Sequence, residues 1–331
     1  MTFARADHWV WDFWIADDGD RYHLYYLHAP RSLGDPDLRH RNARIGHASS
    51  VDLRAWDDHG EVLAPGEPGS FDGSATWTGS VVRADDGTWR MFYTGSRFLA
   101  DDSAANVETI GMATSTDLHT WTKSPGPIVT ADSTWYETLA SGTWREEAWR
   151  DPWVFKHGDE WRMLITARSA GGDSADGDLL DRGVIGLATS PDLETWTVGP
   201  PVSEPGAGFM HIEVPQHLDL DGTTVLLFSC DTPHLAGERV ARAERGGIWS
   251  VTVPPDSTYP IDRATRLLDE QYYSGRAIRD RSGAWVLLAF ENVGDGGAFI
   301  GRLSEPMPLR WENDTLVVEV GLEAAGLGAA L

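Results

Sequence analysis

The sequence predicts an all-β fold: a five-bladed β-propeller of four-stranded antiparallel blades around a central active-site pocket. Three observations carry this prediction. First, a twelve-residue phrase recurs. Ile45 to Trp56 reads IGHASSVDLRAW, Ile110 to Trp121 reads IGMATSTDLHTW, and Ile185 to Trp196 reads IGLATSPDLETW. Self-similarity at such spacing marks stacked or radially arranged units, none of which can bury its apolar face alone. Second, five short aromatic and aliphatic runs each follow a turn that carries glycine. Third, no long segment sustains a 3.6-residue period, which disfavours an α/β barrel.

Each unit can be read in order. First strands are expected at Trp9 to Ile15, Thr76 to Val82, Asp151 to Phe155, Ile212 to Leu218 and Tyr272 to Ile278. Gly19, Gly87, Gly158, Gly222 and Gly283 then supply the positive φ of tight hairpins. Second strands follow at Tyr22 to Leu27, Trp89 to Tyr93, Trp161 to Ile165, Thr224 to Phe228 and Trp285 to Phe290. The repeated phrase adds a third strand (IGxA), a turn (SxDL) and a Trp that begins a fourth strand. GGIWSVT after Arg245 and FIGRLS after Ala298 are weaker third strands. Five four-stranded sheets avoid long exposed edges by radial closure. A β-solenoid would need shorter, more even repeats. The chain therefore reads as one domain over residues 1–331, with one more strand-like run at Leu316 to Val320 and a short tail over about 321–331. The residues after Trp311 are too few for a second domain.

Bulk properties narrow the function. The 331 residues are 41% hydrophobic, enough for a sizeable core. The 16 Trp suit blade packing and, for a few of them, the flat faces of sugar rings. A net charge of −24 argues against nucleic-acid or anionic-membrane partners, which need clustered Lys and Arg. Cys230 is the only cysteine, which excludes an internal disulfide; it sits in the apolar run TVLLFSC and is expected to be buried. The N-terminus lacks a signal-peptide pattern and no apolar run reaches membrane-spanning length, so a cytoplasmic location is expected. The eleven His form neither an HExxH motif nor a tight ligand cluster. The acidic loop Gly171 to Asp181 lacks the EF-hand ligand set. No metal or cofactor is expected.

First strands line the channel of a propeller, so acids on them converge. Asp12 and Asp151 each stand seven residues before their turn glycines, and Glu213 stands nine before its own. Equal parity on regular hairpins places the three side chains on corresponding faces. Their neighbours are unusual for surface acids. Asp12 lies among Trp9, Trp11, Phe13 and Trp14, Asp151 between Arg150 and Pro152, and Glu213 in HIEVP. Burying a carboxylate is costly unless it is paired or functional. Apolar surroundings raise its pKa and a nearby Arg lowers it. Carboxyls pushed apart in this way can supply an acid and a nucleophile in one site.

These residues resemble a known clan. VWDFW at Val10 to Trp14 is similar to the nucleophile segment of glycoside hydrolase family 68, the levansucrases and inulosucrases. WRDP at Trp149 to Pro152 resembles the RDP motif shared with family 32, the invertases and fructanases. EVP at Glu213 to Pro215 resembles E-R-P or E-C-P in those families, and WTGS at Trp77 to Ser80 resembles WSGS. The ordered match spans about two-thirds of the chain. It implies a retaining β-fructofuranosidase or fructosyltransferase acting on a carbohydrate. Asp12 would be the nucleophile, Glu213 the general acid/base and Asp151 the carboxylate that holds sugar hydroxyls. Arg150, Trp77 and Thr78 match sugar-contacting positions, Trp11 walls the pocket, and Tyr272 or Tyr273 is similar to a pocket tyrosine. The sequence departs at Val214, at Thr78 in place of Ser, and at His211, which stands where family 68 has a glutamate near the leaving-group or acceptor subsite.

Two alternatives remain at this level. One is an inverting family-43-like arabinofuranosidase or xylosidase, which shares the propeller and an Asp/Asp/Glu triad. The other is a carbohydrate-binding propeller without turnover. The polar insertion Arg31 to Arg44 is expected to rim the pocket. Glu146 and Glu147 fall outside the strand register and are second choices for catalysis.

Overall fold

The computed structural model describes residues 2–171, 178–255 and 257–321. The acidic loop and the C-terminal tail singled out above lie largely outside these residues. Five antiparallel sheets follow one another along the chain. Blade 1 is β1 (His8–Asp17), β2 (Tyr22–Pro30), β3 (Arg44–Ser50) and β4 (Asp57–Leu63). Blade 2 is β5 (Ala75–Arg83), β6 (Trp89–Phe98), β7 (Asn106–Ser115) and β8 (Thr122–Lys123). Blade 3 is β9 (Trp149–His157), β10 (Glu160–Arg168), β11 (Gly183–Ser190) and β12 (Thr197–Gly199). Blade 4 is β13 (Glu213–Leu220), β14 (Thr223–Cys230), β15 (Gly247–Thr252) and β16 (Thr265–Asp269). Blade 5 is β17 (Tyr272–Arg279), β18 (Trp285–Val293), a third strand broken into β19 (Phe299–Leu303) and β20 (Met307–Glu312), and β21 (Thr315–Val318). Both pieces pair with β18: Phe290 faces Leu303 and Leu287 faces Met307. Among the described residues no helix is long and apolar enough to cross a membrane.

The repeated phrase is scaffold, and its residue types have separable causes. Its glycine lets an aromatic ring lie flat on the third strand. Tyr26 covers Gly46, and Trp149 would stand 3.1 Å from a Cβ on Gly186. A Cβ on Gly111 would meet Phe71 at 2.6 Å and Tyr93 at 2.7 Å. Its Asp closes the turn: Asp117 accepts from the backbone N–H of His119 (2.8 Å) and Thr120 (2.7 Å), and Asp52 and Asp192 do the same. These N–H groups pull the Asp117 carboxyl down to about 2. The Trp precedes the fourth strand rather than beginning it. Its indole turns back to the SxDL turn, with Trp121 Nε1 donating to Leu118 O (3.3 Å) and Trp196 Nε1 to Leu193 O (3.1 Å).

The core lies between blades. One cluster of buried side chains joins blades 1 and 2 around Trp14, Tyr25 and Tyr93. Others join blades 2 and 3 around Trp149, blades 3 and 4 around Trp249 and blades 4 and 5 around Leu227 and Leu287. The fifth closes the ring, setting Phe13 and Tyr26 against Leu288 and Leu303. Leu303 N–H also donates to Phe3 O at 2.9 Å. Cys230 is buried, as expected.

All five first strands carry an irregularity at the same place. Trp11, Trp77, Arg150, Glu213 and Tyr273 each pair with the second strand, and the register then slips by one extra residue. The residue that opens each bulge is Asp12, Thr78, Asp151, Val214 or Ser274. This corrects the parity argument. Asp12 and Asp151 are equivalent, but Glu213 stands one residue earlier, at the place of Arg150. Parity counted from the turn misleads because the turns differ. Asp17 pairs Tyr22 across four residues, whereas Leu220 pairs Thr223 across two.

Replacing Gly111 with Ala forces its Cβ into Phe71 and Tyr93. Overpacking of this kind costs about 1–3 kcal/mol. Gly111→Ala is expected to lower the urea midpoint with an unchanged slope, while Gly126→Ala, whose Cβ would meet nothing within 4 Å, leaves the midpoint in place.

Candidate active site

The bulges aim side chains into the channel mouth, a common use of an extra strand residue. Three of the five bulge residues hold a left-handed backbone without being glycine: Asp151 (φ 58°), Val214 (φ 53°) and Ser274 (φ 52°). For β-branched Val214 this conformation is strained. Two contacts hold it there. Val214 N–H donates to Asp151 Oδ2 at 3.0 Å, and Val214 O accepts from Arg276 Nη1 at 3.0 Å. The residue that departs from the motif therefore acts through its backbone.

The result is a cavity of about 590 Å³, within the range of small-molecule sites. Asp12, Asp151 and Glu213 all line it, with Trp11, Trp77, Thr78, Arg150, His211 and Tyr273. Tyr272 does not. It packs in the apolar cluster between blades 4 and 5, because successive strand residues face opposite ways. The pocket tyrosine is Tyr273.

Each carboxylate has distinct partners. Asp12 accepts from Thr78 Oγ1 at 2.7 Å and, on its other oxygen, from Ser274 Oγ. Burial raises its pKa and the charge of Glu213 adds to the rise, against the two hydroxyl donors and Arg276. Asp151 accepts from Thr166 Oγ1 at 3.0 Å as well as from Val214 N–H. Burial, with the charges of Asp12 and Glu213, pushes it up to about 6 despite Arg150. Glu213 accepts from Arg150 Nη2 at 2.7 Å and from Tyr273 Oη at 2.5 Å. Burial pushes it up, but Arg150, His234 and Tyr273 outweigh burial and hold it below the ordinary glutamate value. Three acids in one pocket thus sit at different protonation energies.

Arg150 organises the wall. Besides Glu213, its Nη1 donates to Glu108 Oε2 (3.0 Å) and Glu146 Oε1 (3.2 Å), and its Nη2 meets His211 Nδ1 at 3.1 Å. Burial and the Arg150 charge keep His211 neutral, so its Nδ1 accepts from the guanidinium. Burial pushes Glu108 up to about 7. Arg276, buried beneath the two aspartates, donates to Val214 O and Pro215 O.

Sequence reasoning missed Glu108, Arg276, Arg39 and His234. Glu108 and Arg276 are charged residues inside otherwise apolar strand runs, which is the signal that would have found them. Glu146 was placed outside the strand register, and it is outside a strand, yet it lines the pocket. The polar insertion does rim the cavity: Asp37 to Arg41 line it. Arg39 there stands over Trp11 at 5.8 Å and Phe299 at 4.0 Å. His40 also lines it and accepts from Trp77 Nε1 through its carbonyl (2.8 Å).

The chain has relatives among known proteins. The sequence model for the glycosyl hydrolases family 32 N-terminal domain matches residues 14–296; Asp12 lies just ahead of that segment. The chain is 24% identical over 297 residues to a raffinose invertase of Escherichia coli, covering 88% of this chain and 54% of that protein. It is 30% identical over 240 residues to a sucrose-6-phosphate hydrolase of Escherichia coli, covering 70% and 44%. The chain thus spans about half the length of these relatives. Among solved structures, the inulosucrase from Halalkalicoccus jeotgali bound to kestose superposes with a TM-score of 0.78 at 22% identity, covering 95% of this chain and 87% of that one. A Bombyx mori family 32 beta-fructofuranosidase gives 0.72 at 19% identity, covering 96% and 64%. Structural likeness at such identities fixes the fold, and the sequence match fixes the lineage: the chain belongs to the glycosyl hydrolases family 32 N-terminal domain family.

Proposed function

We propose that this chain is a retaining glycoside hydrolase or transglycosylase acting on β-fructofuranosides of the sucrose or fructan type. The observation that carries this reading is the meeting of Asp12, Asp151 and Glu213, from three different blades, in one pocket. The names of the relatives, raffinose invertase and sucrose-6-phosphate hydrolase, support the substrate class. Membership of family 32 favours it over the family-43-like alternative.

In this mechanism an Asp12 oxygen attacks the anomeric carbon of the fructosyl unit. Glu213 gives its proton to the departing glycosidic oxygen. Water, or a sugar hydroxyl in the transfer reaction, then gives a proton back to Glu213 and attacks the fructosyl ester, releasing Asp12. Asp151 is placed to hold fructosyl hydroxyls beside the oxocarbenium-like transition state. The Thr78 and Ser274 hydroxyls orient Asp12. Arg150 and Tyr273 fix both oxygens of Glu213, so the acid reaches the bond in one geometry. Trp11 and Trp77 offer apolar ring faces to the sugar.

Burial raises Asp12 while Arg150, His234 and Tyr273 lower Glu213, which draws the two carboxyls toward one another. The reactive pair needs ionised Asp12 with protonated Glu213, and its share is largest on the acid side of neutrality. The pH profile of kcat/KM on sucrose is expected to be bell-shaped with its maximum below pH 7; a maximum in the alkaline range contradicts these roles.

Incubation with sucrose, followed by NMR, tests the reaction class. The first-formed fructose, or fructosyl product, should keep the β configuration; an inverted anomer, or no product from any fructoside, removes the reading. Asp12→Asn and Glu213→Gln should each lower kcat on sucrose by about 10²–10⁴-fold or more, with circular dichroism unchanged.

Asp151→Asn separates catalysis from stability. The raised pKa of Asp151, about 6 against 3.8, means that the fold disfavours its charge. The stability that goes with the proton is present below about pH 4 and is lost as pH rises through about 6. Each pKa unit corresponds to about 1.4 kcal/mol. The amide removes the charge and keeps an acceptor for Thr166 and Val214. The variant should be inactive yet hold an equal or higher Tm at pH 8, with the gain vanishing near pH 4. A lowered Tm at pH 8 shows instead that the charged form supports the fold.

A further inference from the structure

Away from the pocket, blades 1 and 2 share a second group of side chains. His47 lies on β3, His59 on β4 and His119 in the turn between β7 and β8. One ring nitrogen from each lies within 4.8 Å of the others. None of the three lines the pocket. The expectation that the histidines form no tight cluster is corrected here. Strand pairing and the blade interface bring together residues that the sequence keeps apart.

The hydrogen bonding behind His47 has a direction. His23 Nε2 stands 3.1 Å from Asp18 Oδ2, and His23 Nδ1 stands 3.0 Å from His47 Nε2. An ionised carboxylate only accepts, so His23 carries its proton on Nε2. With its proton there, its Nδ1 is the acceptor of the 3.0 Å contact, which places the His47 proton on Nε2. His47 is left with a bare lone pair on Nδ1. That atom is buried and has no hydrogen-bond partner. A neutral imidazole with its second nitrogen tied through a chain to a carboxylate is how proteins present a metal ligand.

The surroundings agree. His59 Nε2 is held 2.9 Å from Ser49 Oγ, which orients that ring. Tyr25 stacks on His47 at 5.0 Å and reaches across to blade 2 through Leu118 O at 2.7 Å, so the two blades are already locked beside the cluster. Arg21, the nearby cation, is engaged by Ser49 and Asp57. Asp57 and Asp58 act on His59, and Asp117 acts on His47, with charges that favour a cation.

We propose that His47, His59 and His119 form a zinc-type transition-metal site that pins blade 1 to blade 2, with His23 and Asp18 orienting His47 behind it. Three imidazoles suit Zn²⁺, Ni²⁺, Cu²⁺ or Co²⁺ and not Ca²⁺ or Mg²⁺, which take oxygen ligands. Zinc–nitrogen bonds of about 2.0–2.1 Å in a tetrahedron set the nitrogens about 3.3 Å apart. His47 is fixed in the interior, while His59 and His119 are exposed and close the remaining gap by turning their side chains. The fourth position is open to water, as in other three-ligand zinc sites. Two of the ligands occupy variable places in the repeated phrase: Met112 and Leu187 stand where His47 does, and Arg54 and Glu194 stand where His119 does. The scaffold is common to three blades, and the ligands belong to one interface.

Zinc titration of the chelator-treated protein, carrying no histidine tag, tests the site by calorimetry and thermal scanning. One Zn²⁺ per chain is expected to bind and to raise Tm by several degrees. His59→Ala and His119→Ala should each weaken binding at least about 100-fold while leaving the metal-free Tm unchanged, since both side chains are exposed. Asp18→Asn should weaken it roughly 10–100-fold. No saturable zinc uptake, or uptake that survives His119→Ala at full strength, overturns the proposal.

Discussion

One extra residue in each of five innermost strands governs this molecule. A regular first strand would send alternate side chains up and down the channel with no shared focus. The slip at Asp12, Thr78, Asp151, Val214 and Ser274 turns each strand at the same height. Neighbouring blades then meet through these positions: Thr78 and Ser274 donate to Asp12, and Val214 donates to Asp151. The left-handed backbone at Val214 persists because its N–H and carbonyl are both taken. Strain at that residue is thus tied to the placement of the carboxylate on the next blade.

Charge balance is the second consequence. Asp12, Glu108, Glu146, Asp151 and Glu213 are among the acids that face the pocket, from blades 1 to 4 and the loop before blade 3. Arg150 on the wall and Arg276 beneath act on the two aspartates, and Arg39, Arg41 and Arg145 also line the pocket. Arg150 spends its donors on Glu108, Glu146 and Glu213, which leaves Asp151 with a distant contact at 3.8 Å. That uneven sharing, more than burial alone, separates Glu213 on the low side from Asp151 on the high side. The same side chain fixes position and protonation together. A substitution at Arg150 therefore disturbs both, and its effect does not report on either one separately.

The fold was legible because the repeat is a local pattern with local causes. The Asp that closes the SxDL turn and the alternation of the strands act within a few residues, while the glycine holds a fixed place in each copy under a ring from elsewhere in the chain. In blade 5 the first piece of the third strand was legible in FIGRLS and the last strand in the run at Leu316, but the break and its second piece, Met307–Glu312, were not. The site was legible in part. Asp12, Asp151 and Glu213 stood out as acids on first strands with unusual neighbours, but their relative register did not, because turn length and bulges decide it. Tyr272 and Tyr273 could not be told apart without strand direction. Glu108, Arg39 and His234 reach the pocket from a third strand, an insertion and a loop, with Arg276 of the fifth blade beneath the aspartates, and only closure of the ring brings them together. The histidine group between blades 1 and 2 was hidden in the same way.

The central claim is that Asp12 carries the fructosyl unit between two half-reactions. The direct measurement is rapid acid quenching of the enzyme during sucrose turnover, followed by proteolysis and mass spectrometry. The account predicts that the peptide containing Asp12 gains one fructosyl unit, in amounts that grow when Glu213→Gln slows the second step with an activated fructoside. A fructosyl unit on any other side chain, or none on Asp12 under steady turnover, contradicts it.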